Sequence, residues 1–255
     1  MKRLKATVVI SLTITSSLFL GGCSQEKESD LTLTKILPPQ APFAVFRNKA
    51  GAIPWKSFID TRRLPLIPER SGVQLGLILV QWSLAETLGD EKNADLISAN
   101  LVRLSKEMDI DDEALLVRLK NRVEAKGSQK SEEAVRKDIR AVEKELGSYF
   151  EKKGKSEWSH QLLFGSWLEL LSVTLKGMTV ANDPSLAGFL ARRSEASYFL
   201  YRFAEGKGNY ERETAFLKEA LNYFDSQEKS GLGTDDIRKL AGLVHGLRTS
   251  YEKKW

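Results

Sequence analysis

The sequence predicts an all-α fold, either a multi-helix bundle or a short solenoid of helical hairpins, preceded by an extended proline-rich strap. Two observations support this prediction. Apolar residues recur at helical spacing from Gly72 to the end of the chain. Only Pro184 lies in that part, whereas the other six of the seven prolines lie between residues 36 and 70, where they oppose continuous helix.

Residues 72–255 therefore form the predicted helical domain, in which we expect eight helices joined by short polar turns. Their approximate ranges are 73–88, 92–108, 112–125, 131–150, 157–178, 184–204, 210–227 and 234–251. Polar residues that can cap a helix precede several of them, namely Asp111 or Asp112, Ser131, Asp183, Asn209 and the run Thr234–Asp236.

The predicted helix over 157–178 is apolar nearly all round. A helix without a polar face is either buried or spans a membrane. Glu169 and Lys176 lie within it, and charged side chains are costly in lipid. We therefore expect this helix to be the buried centre of the fold.

Residues 36–71 form the predicted strap, which combines prolines with large apolar residues such as Phe43, Trp55 and Phe58. A pure linker would not carry so many apolar side chains, so we expect them to pack on the protein's own helices. The alternative is that some of them bind a partner. Residues 43–47 could form a short strand, and the polar, charged residues 23–35 read as a flexible tether.

The first 23 residues have the pattern of an export signal. A basic start with Lys2, Arg3 and Lys5 is followed by an apolar stretch over residues 6–20 and by Leu-Gly-Gly-Cys ending at Cys23. This run resembles the signal peptide and lipobox of a bacterial lipoprotein. The resemblance implies cleavage of residues 1–22 and a membrane anchor through lipid on Cys23. Because Ser24 rather than Asp follows, it also implies the outer membrane, facing the periplasm, if the host is Gram-negative. The alternative is an ordinary secretory signal with a cysteine nearby.

Charge and cysteine content limit the function classes. Cleavage would remove three basic residues and no acidic one, so the formal net charge would fall from +5 to +2. A nearly balanced chain argues against nucleic acid as a partner. Cys23 is the only cysteine, so its lipidation would exclude intrachain disulfides, zinc-finger and iron–sulfur ligation, and a thiol nucleophile.

One hairpin resembles a known repeat. The matching residues lie between 194 and 224 and include Ala196, Leu200, Tyr210 and Ala220. This stretch resembles one tetratricopeptide repeat, a family that stacks helical hairpins and binds peptides on its concave face. Glu213 departs from the small residue expected at the start of the second helix, and no second copy precedes the hairpin. The alternative is a generic antiparallel helix pair.

Catalytic and metal-binding motifs are missing from the sequence, so we expect no cofactor and no metal. The candidate pocket consists of Trp167, Glu169 and His160, on or near the predicted central helix. A buried carboxylate needs a partner, so the alternative for Glu169 is an ion pair with Lys176 or with Arg192, Arg193 or Arg202.

We therefore predict a non-enzymatic, lipid-anchored protein of the bacterial envelope that acts as an adaptor or assembly factor for another envelope protein. The second hypothesis is a small-molecule or metal-binding lipoprotein with an interhelical pocket. The third, an enzyme, lacks a recognisable catalytic motif.

Overall fold

Seven α-helices and two short 3₁₀ helices make up the part of the chain that the computed structural model describes, which is residues 53–113, 117, 132–182, 193–206 and 208–252. No strand occurs within these residues. The helices are α1 (Ser71–Thr87), α2 (Glu91–Glu107), α3 (Glu132–Lys152), α4 (Ser156–Ala181), α5 (Arg193–Glu205), α6 (Glu211–Ser230) and α7 (Thr234–Ser250). The prediction of an all-α fold is confirmed, and the arrangement is a multi-helix bundle.

Helix α4 is the centre of the bundle, as its apolar sequence predicts. Helices α1, α3, α5 and α7 all contact it, and α1 packs along it most extensively. Every residue from Phe164 to Leu175 is buried, which is more than three helical turns. No side of α4 is therefore free to face solvent over this stretch.

Glycines let α1 and α4 approach at backbone distance. A Cβ atom on Gly165 would lie 2.1 Å from the carbonyl oxygen of Val73, and one on Gly76 would lie 2.3 Å from that of Leu162. Real Cβ atoms do not approach so closely, so any side chain at either position would force the two helices apart.

The described half of the strap packs on the helices. It includes the 3₁₀ helices Trp55–Phe58 and Pro68–Arg70. Ile53, Trp55 and Leu64 are buried, and the Trp55 ring lies so close to Gly177 of α4 that a Cβ there would be 2.6 Å from its Cη2. The apolar groups of these residues are thus part of the protein's own core.

Side chains of the bundle also satisfy the strap's backbone. Gln81 Oε1 accepts a hydrogen bond of 2.7 Å from the Asp60 amide. Asn100 and Arg103 of α2 donate to the carbonyl oxygens of Thr61 and Leu64, at 3.2 and 2.6 Å. Because buried backbone groups need partners, these bonds allow the strap to lie on the bundle without regular secondary structure.

Helix caps follow the sequence only in part. Asn209 does not cap α6; the N-cap is Tyr210, and Asn209 accepts a 3.4 Å bond from the Glu211 amide. The cap predicted from the run Thr234–Asp236 was also wrong. Helix α7 begins at Thr234, as the predicted range does, but its N-cap is Gly233, whose carbonyl accepts a hydrogen bond from the Ile237 amide at 3.0 Å. The aspartates instead occupy the first turn, where they face the positive end of the helix dipole.

Several predictions lie wholly or mainly outside the described residues. They are the signal peptide and Cys23, the tether over 23–35, the strand over 43–47, most of the helix over 112–125, and the helix start at Asp183. Within the described ranges, no helix has both the length and the apolar character needed to cross a bilayer.

Candidate functional site

Trp167, one of the three predicted pocket residues, lies in an aromatic core shared by α4, α5 and α6. Its side chain is buried, with the rings of Phe164, Phe199 and Phe224 at centroid distances of 5.8, 5.4 and 6.3 Å. Its indole N–H donates to Glu195 Oε2 at 3.0 Å. The core therefore buries the Trp167 ring and also provides a hydrogen-bond acceptor for its indole N–H.

Glu169, the second predicted pocket residue, is fully buried at 0% exposure. One carboxylate oxygen pairs with Arg248 Nε of α7 at 2.5 Å, and the other accepts from the Gln81 side-chain amide. The predicted ion pair is thus present, but the partner is Arg248 rather than Lys176 or an arginine between 192 and 202. Arg248, which lies 79 residues away in sequence, therefore neutralises the buried Glu169 carboxylate.

Further charges extend this pair to the surface. Arg248 also contacts Asp60 at 2.8 Å and pairs with Glu252, while Arg62 bonds both acidic residues. We call Asp60, Arg62, Glu169, Arg248 and Glu252 the ionic cluster. Burial alone would raise the pKa of Asp60, but the hydrogen bonds from Arg62 and Arg248 outweigh it and hold that pKa well below its usual range. Burial likewise disfavours the charged guanidinium of Arg248, and the charge of Glu169 reverses this and raises its pKa.

The ionic cluster joins the strap, α4 and the end of α7. Every charged group in it has an opposite partner, which is what a buried charge requires. It therefore acts as a polar clamp that fixes the strap on the bundle, and Glu169 is enclosed within it.

His160, the third predicted pocket residue, lines a cavity of about 540 Å³ at the amino-terminal end of α4. The lining does not include Trp167 or Glu169, so the three residues do not share this cavity. We call it the Arg202 cavity, and its lining includes Lys155, Glu157, Trp158, His160, Arg202 and Tyr210.

The Arg202 cavity contains basic groups set among aromatic rings. The Arg202 guanidinium lies 5.3 Å from the ring centroid of Tyr198, and the Lys155 ammonium lies 4.0 Å from that of Trp158. His160 Nδ1 is 3.4 Å from the Tyr198 hydroxyl. Burial lowers the pKa of His160, and the charge of Arg202 adds to the effect, so the imidazole is neutral at pH 7.

Two polar groups of the residues that line this cavity, on Glu157 and Arg202, differ in their hydrogen bonding. The Glu157 carboxylate accepts a 2.6 Å hydrogen bond from Tyr210. The buried Nε of Arg202 has no hydrogen-bond partner within the described ranges. This nitrogen is sealed from solvent, so a ligand in the cavity cannot reach it.

A second cavity, of about 570 Å³, lies on the other side of Tyr210 and includes Arg70 and Glu213. Glu213 is 1% exposed; Arg70 Nε pairs with it at 2.5 Å, and the Tyr251 hydroxyl donates to it at 2.9 Å. Burial raises the pKa of Tyr251, as does the adjacent carboxylate of Glu213, so the phenol remains a donor. These contacts tie the strap to α6 and to the end of α7.

A third concave surface is an open groove of about 830 Å³ between α6 and α7, which we call the α6–α7 groove. It is lined by apolar side chains and by charged ones: Phe216, Tyr223, Leu243 and Leu247, with Arg212, Glu219 and Lys239. Gly242 and Gly246 also line it, and a Cβ on either would meet no atom within 4 Å. The groove therefore has unfilled space beside an apolar surface.

Sequence reasoning missed Arg202 as a pocket residue and missed both Arg70 and Arg248 as partners of buried carboxylates. One signal was available. Glu213 replaces the small residue typical of the tetratricopeptide pattern, and a carboxylate at a helix-packing position requires a cation. No comparable signal singled out Arg202. No group of metal-ligating side chains in the described residues is arranged to hold an ion.

The described residues form an all-α bundle with ion-paired buried carboxylates, two cavities of similar size on either side of Tyr210 and one open groove. The chain matches no protein-family model, and comparisons with curated proteins and with solved structures found no match. The tetratricopeptide resemblance therefore rests on a single hairpin, formed by α5 and α6, which do pack against each other.

Proposed function

We propose that this protein is a non-enzymatic adaptor of a bacterial cell envelope, held at the membrane by lipid on Cys23, which binds another envelope protein through the α6–α7 groove. The observation that carries the proposal is the groove itself. Interfaces combine an apolar centre with polar groups around it, and the groove's lining offers both.

An amphipathic helix is the partner element that suits this surface. Such helices bind grooves between helices through apolar side chains spaced along one face. Gly242 and Gly246 are one helical turn apart on α7 and leave open space for the partner's side chains or backbone. The described half of the strap is already fixed to the bundle, which leaves the groove as the better candidate for an external partner.

Lipid on Cys23 would supply the rest of the mechanism. An anchor confines the domain to the membrane surface, where the effective concentration of membrane-associated partners is high. Ser24, which follows Cys23, extends the proposal to the outer membrane, facing the periplasm, if the host is Gram-negative.

The test is affinity capture from the native envelope with Gly246→Arg, which fills the groove, and with Gly147→Arg as the matched control. A Cβ on Gly147 of α3 also meets no atom within 4 Å, so both changes replace an open helical glycine. Each should raise helix stability by up to about 1 kcal/mol. We expect a stoichiometric envelope protein to be lost with Gly246→Arg and retained with Gly147→Arg. Equal capture by both variants would refute the groove, and a Cys23→Ala variant that stays membrane-bound would refute the anchor.

A second candidate function is binding of a small molecule, and the Arg202 cavity favours it. A volume of about 540 Å³ falls within the range typical of ligand pockets. Of the three predicted pocket residues, His160 alone lines this cavity. Arg202 and Trp158 line it, whereas Trp167 and Glu169 do not.

A further inference from the structure

We propose that the helix bound in the α6–α7 groove carries one basic and one acidic residue on opposite flanks of its apolar stripe, the basic one beside Glu219 and the acidic one beside Lys239. This inference rests on the proposed adaptor function and names the chemistry of its partner. Its basis is the position of two opposite charges on the two walls of one apolar groove.

Each wall of the groove is one face of one helix. The lining residues of α6 lie between 212 and 223 and those of α7 between 239 and 250, and residues three and four apart recur in both sets. Either wall is about 16 Å long at the helical rise. A partner helix of about three turns therefore has the length of the groove.

The floor of the groove favours a helix over an extended segment. Phe216 and Leu247 are the buried residues of the lining and so form this floor. An extended segment above their side chains would leave its amide and carbonyl groups without partners, whereas a helix satisfies its own. Gly242 and Gly246 are exposed on the α7 wall, and a Cβ on either would meet no atom within 4 Å. A helix can therefore come close to the α7 backbone there.

Two charged side chains lie on opposite walls of this groove. Glu219 is exposed on α6 and Lys239 is exposed on α7, and neither forms an ion pair within the part of the chain that the structure describes. Arg212, the other cation of the lining, already has an interaction of its own. A partner therefore meets a negative charge on one flank and a positive charge on the other, which is the complement of a basic and an acidic flank.

The course of the two helices sets the spacing of these charges. Residues 231–233 alone connect Ser230 of α6 to Thr234 of α7, and so short a connection makes the helices antiparallel. Glu219 and Lys239 are 11 and five residues from those ends, which separates them by about 9 Å along the groove. Residues five or six apart on a partner helix are about 7.5–9 Å apart along its axis and about 120–140° apart around it, so they lie on the two flanks of an apolar stripe.

The test is fluorescence anisotropy of three synthetic peptides of about 18 residues, long enough to form a helix, titrated with the full chain. All three share one apolar stripe and have two charged positions, six residues apart, on its flanks. The mixed peptide has Lys and Glu there, the dibasic peptide has two Lys, and the diacidic peptide has two Glu. We expect the mixed peptide to bind about 5-fold more tightly than either of the others, because each of these sets a like charge against the groove.

Charge reversal in the groove should exchange these preferences. Lys239→Glu makes both walls acidic, so the dibasic peptide should become the tightest of the three, and Glu219→Lys should favour the diacidic peptide in the same way. Lys218→Glu is the matched control, because Lys218 is exposed on α6 outside the groove lining and its change in net charge equals that of Lys239→Glu. This control should leave the mixed peptide preferred. Gly246→Arg should weaken binding of the mixed peptide about 10-fold or more, because it fills the groove.

The outcomes separate this inference from the adaptor function on which it rests. Equal binding of the three peptides, or a preference of the parent for the dibasic or the diacidic one, would overturn the charge pattern and leave a groove for an apolar helix. Mixed-peptide binding that Gly246→Arg does not weaken, or a preference that neither reversal changes, would place the peptide elsewhere and refute the inference. The inference also fails if no peptide binds at about 1 mM, whereas the adaptor function fails only if Gly246→Arg and Gly147→Arg capture the envelope protein equally.

Discussion

Replacement of Arg248 by Met tests the interpretation of the ionic cluster as a structural clamp. The change keeps an apolar stem of similar length and removes the guanidinium. Glu169 would then be a carboxylate at 0% exposure whose one remaining partner among the described contacts is the Gln81 amide. Asp60 and Glu252 would still have Arg62. The uncompensated charge at Glu169 therefore determines how much the free energy of unfolding falls.

Breaking a buried ion pair by removing one partner costs about 3–5 kcal/mol, because the other charge stays desolvated. Domains are stable by about 5–15 kcal/mol, so Arg248→Met should remove about a fifth or more of the free energy of unfolding. The double variant Glu169→Gln/Arg248→Met should recover about 2–3 kcal/mol of that loss. Its residue 169 carries no charge, and its amide oxygen can still accept from Gln81.

The assay is urea unfolding followed by circular dichroism at 222 nm for the parent, both single variants and the double variant. The free energy of unfolding and the slope with urea are fitted together, so that a change in the denatured state is detected. A loss below about 1 kcal/mol in Arg248→Met, or a double variant whose loss equals the sum of the two single losses, would refute the clamp. If Glu169 instead served a ligand, Glu169→Gln would change binding and leave stability close to that of the parent.

Three further changes probe the contacts that hold the bundle and the strap. Gly165→Ala should cost about 3 kcal/mol or more in the same urea assay, since its Cβ would lie 2.1 Å from the Val73 carbonyl, and an unchanged midpoint would contradict the packing of α1 on α4. Gly177→Ala should push the Trp55 ring off α4 and speed trypsin cleavage within the strap while the bundle stays folded; equal cleavage rates would show that Trp55 is not an anchor. The pKa of Asp60 is depressed in the fold, so its stabilising effect is present above the unfolded value of about 4 and is lost as the pH falls below it. Asp60→Asn should therefore flatten the dependence of stability on pH below about 4, and an unaltered acid slope in this variant would contradict the assignment.

Local patterns in the sequence predicted the helices and the central one among them. Apolar spacing is a property of neighbouring residues, and it placed α4 within a few residues of its bounds, Ser156–Ala181. Helix caps were less predictable. In the run Thr234–Asp236 three polar residues can each cap, and the choice depends on the backbone of Gly233, which the residue types do not determine.

Partners distant in sequence were not predictable. The need of Glu169 for a cation follows from its place on an apolar helix, but Arg248 lies on α7, and only the packing of α7 on α4 brings the two together. The same holds for Arg202 and His160, which belong to different helices. The sequence can predict that a particular residue needs a partner, whereas the set of residues that line a cavity depends on the tertiary fold.

The described part of the strap extends along the central helix α4. The strap enters the described structure at Ile53 and Trp55, beside Gly177 near the carboxyl end of α4. Trp158, in the Arg202 cavity, lies 19 residues earlier on the same helix, about 28 Å away at the helical rise. The Arg70 end of the strap reaches the region of that cavity, since the Arg70 guanidinium lies 4.6 Å from the ring centroid of Tyr210, which lines it. The ionic cluster and the Arg70–Glu213 pair therefore fix the strap at two places, the first on α4 and α7 and the second on α6. Filling the α6–α7 groove with Gly246→Arg should leave small-molecule binding at the Arg202 cavity unchanged, because the groove and the cavity have no lining residue in common.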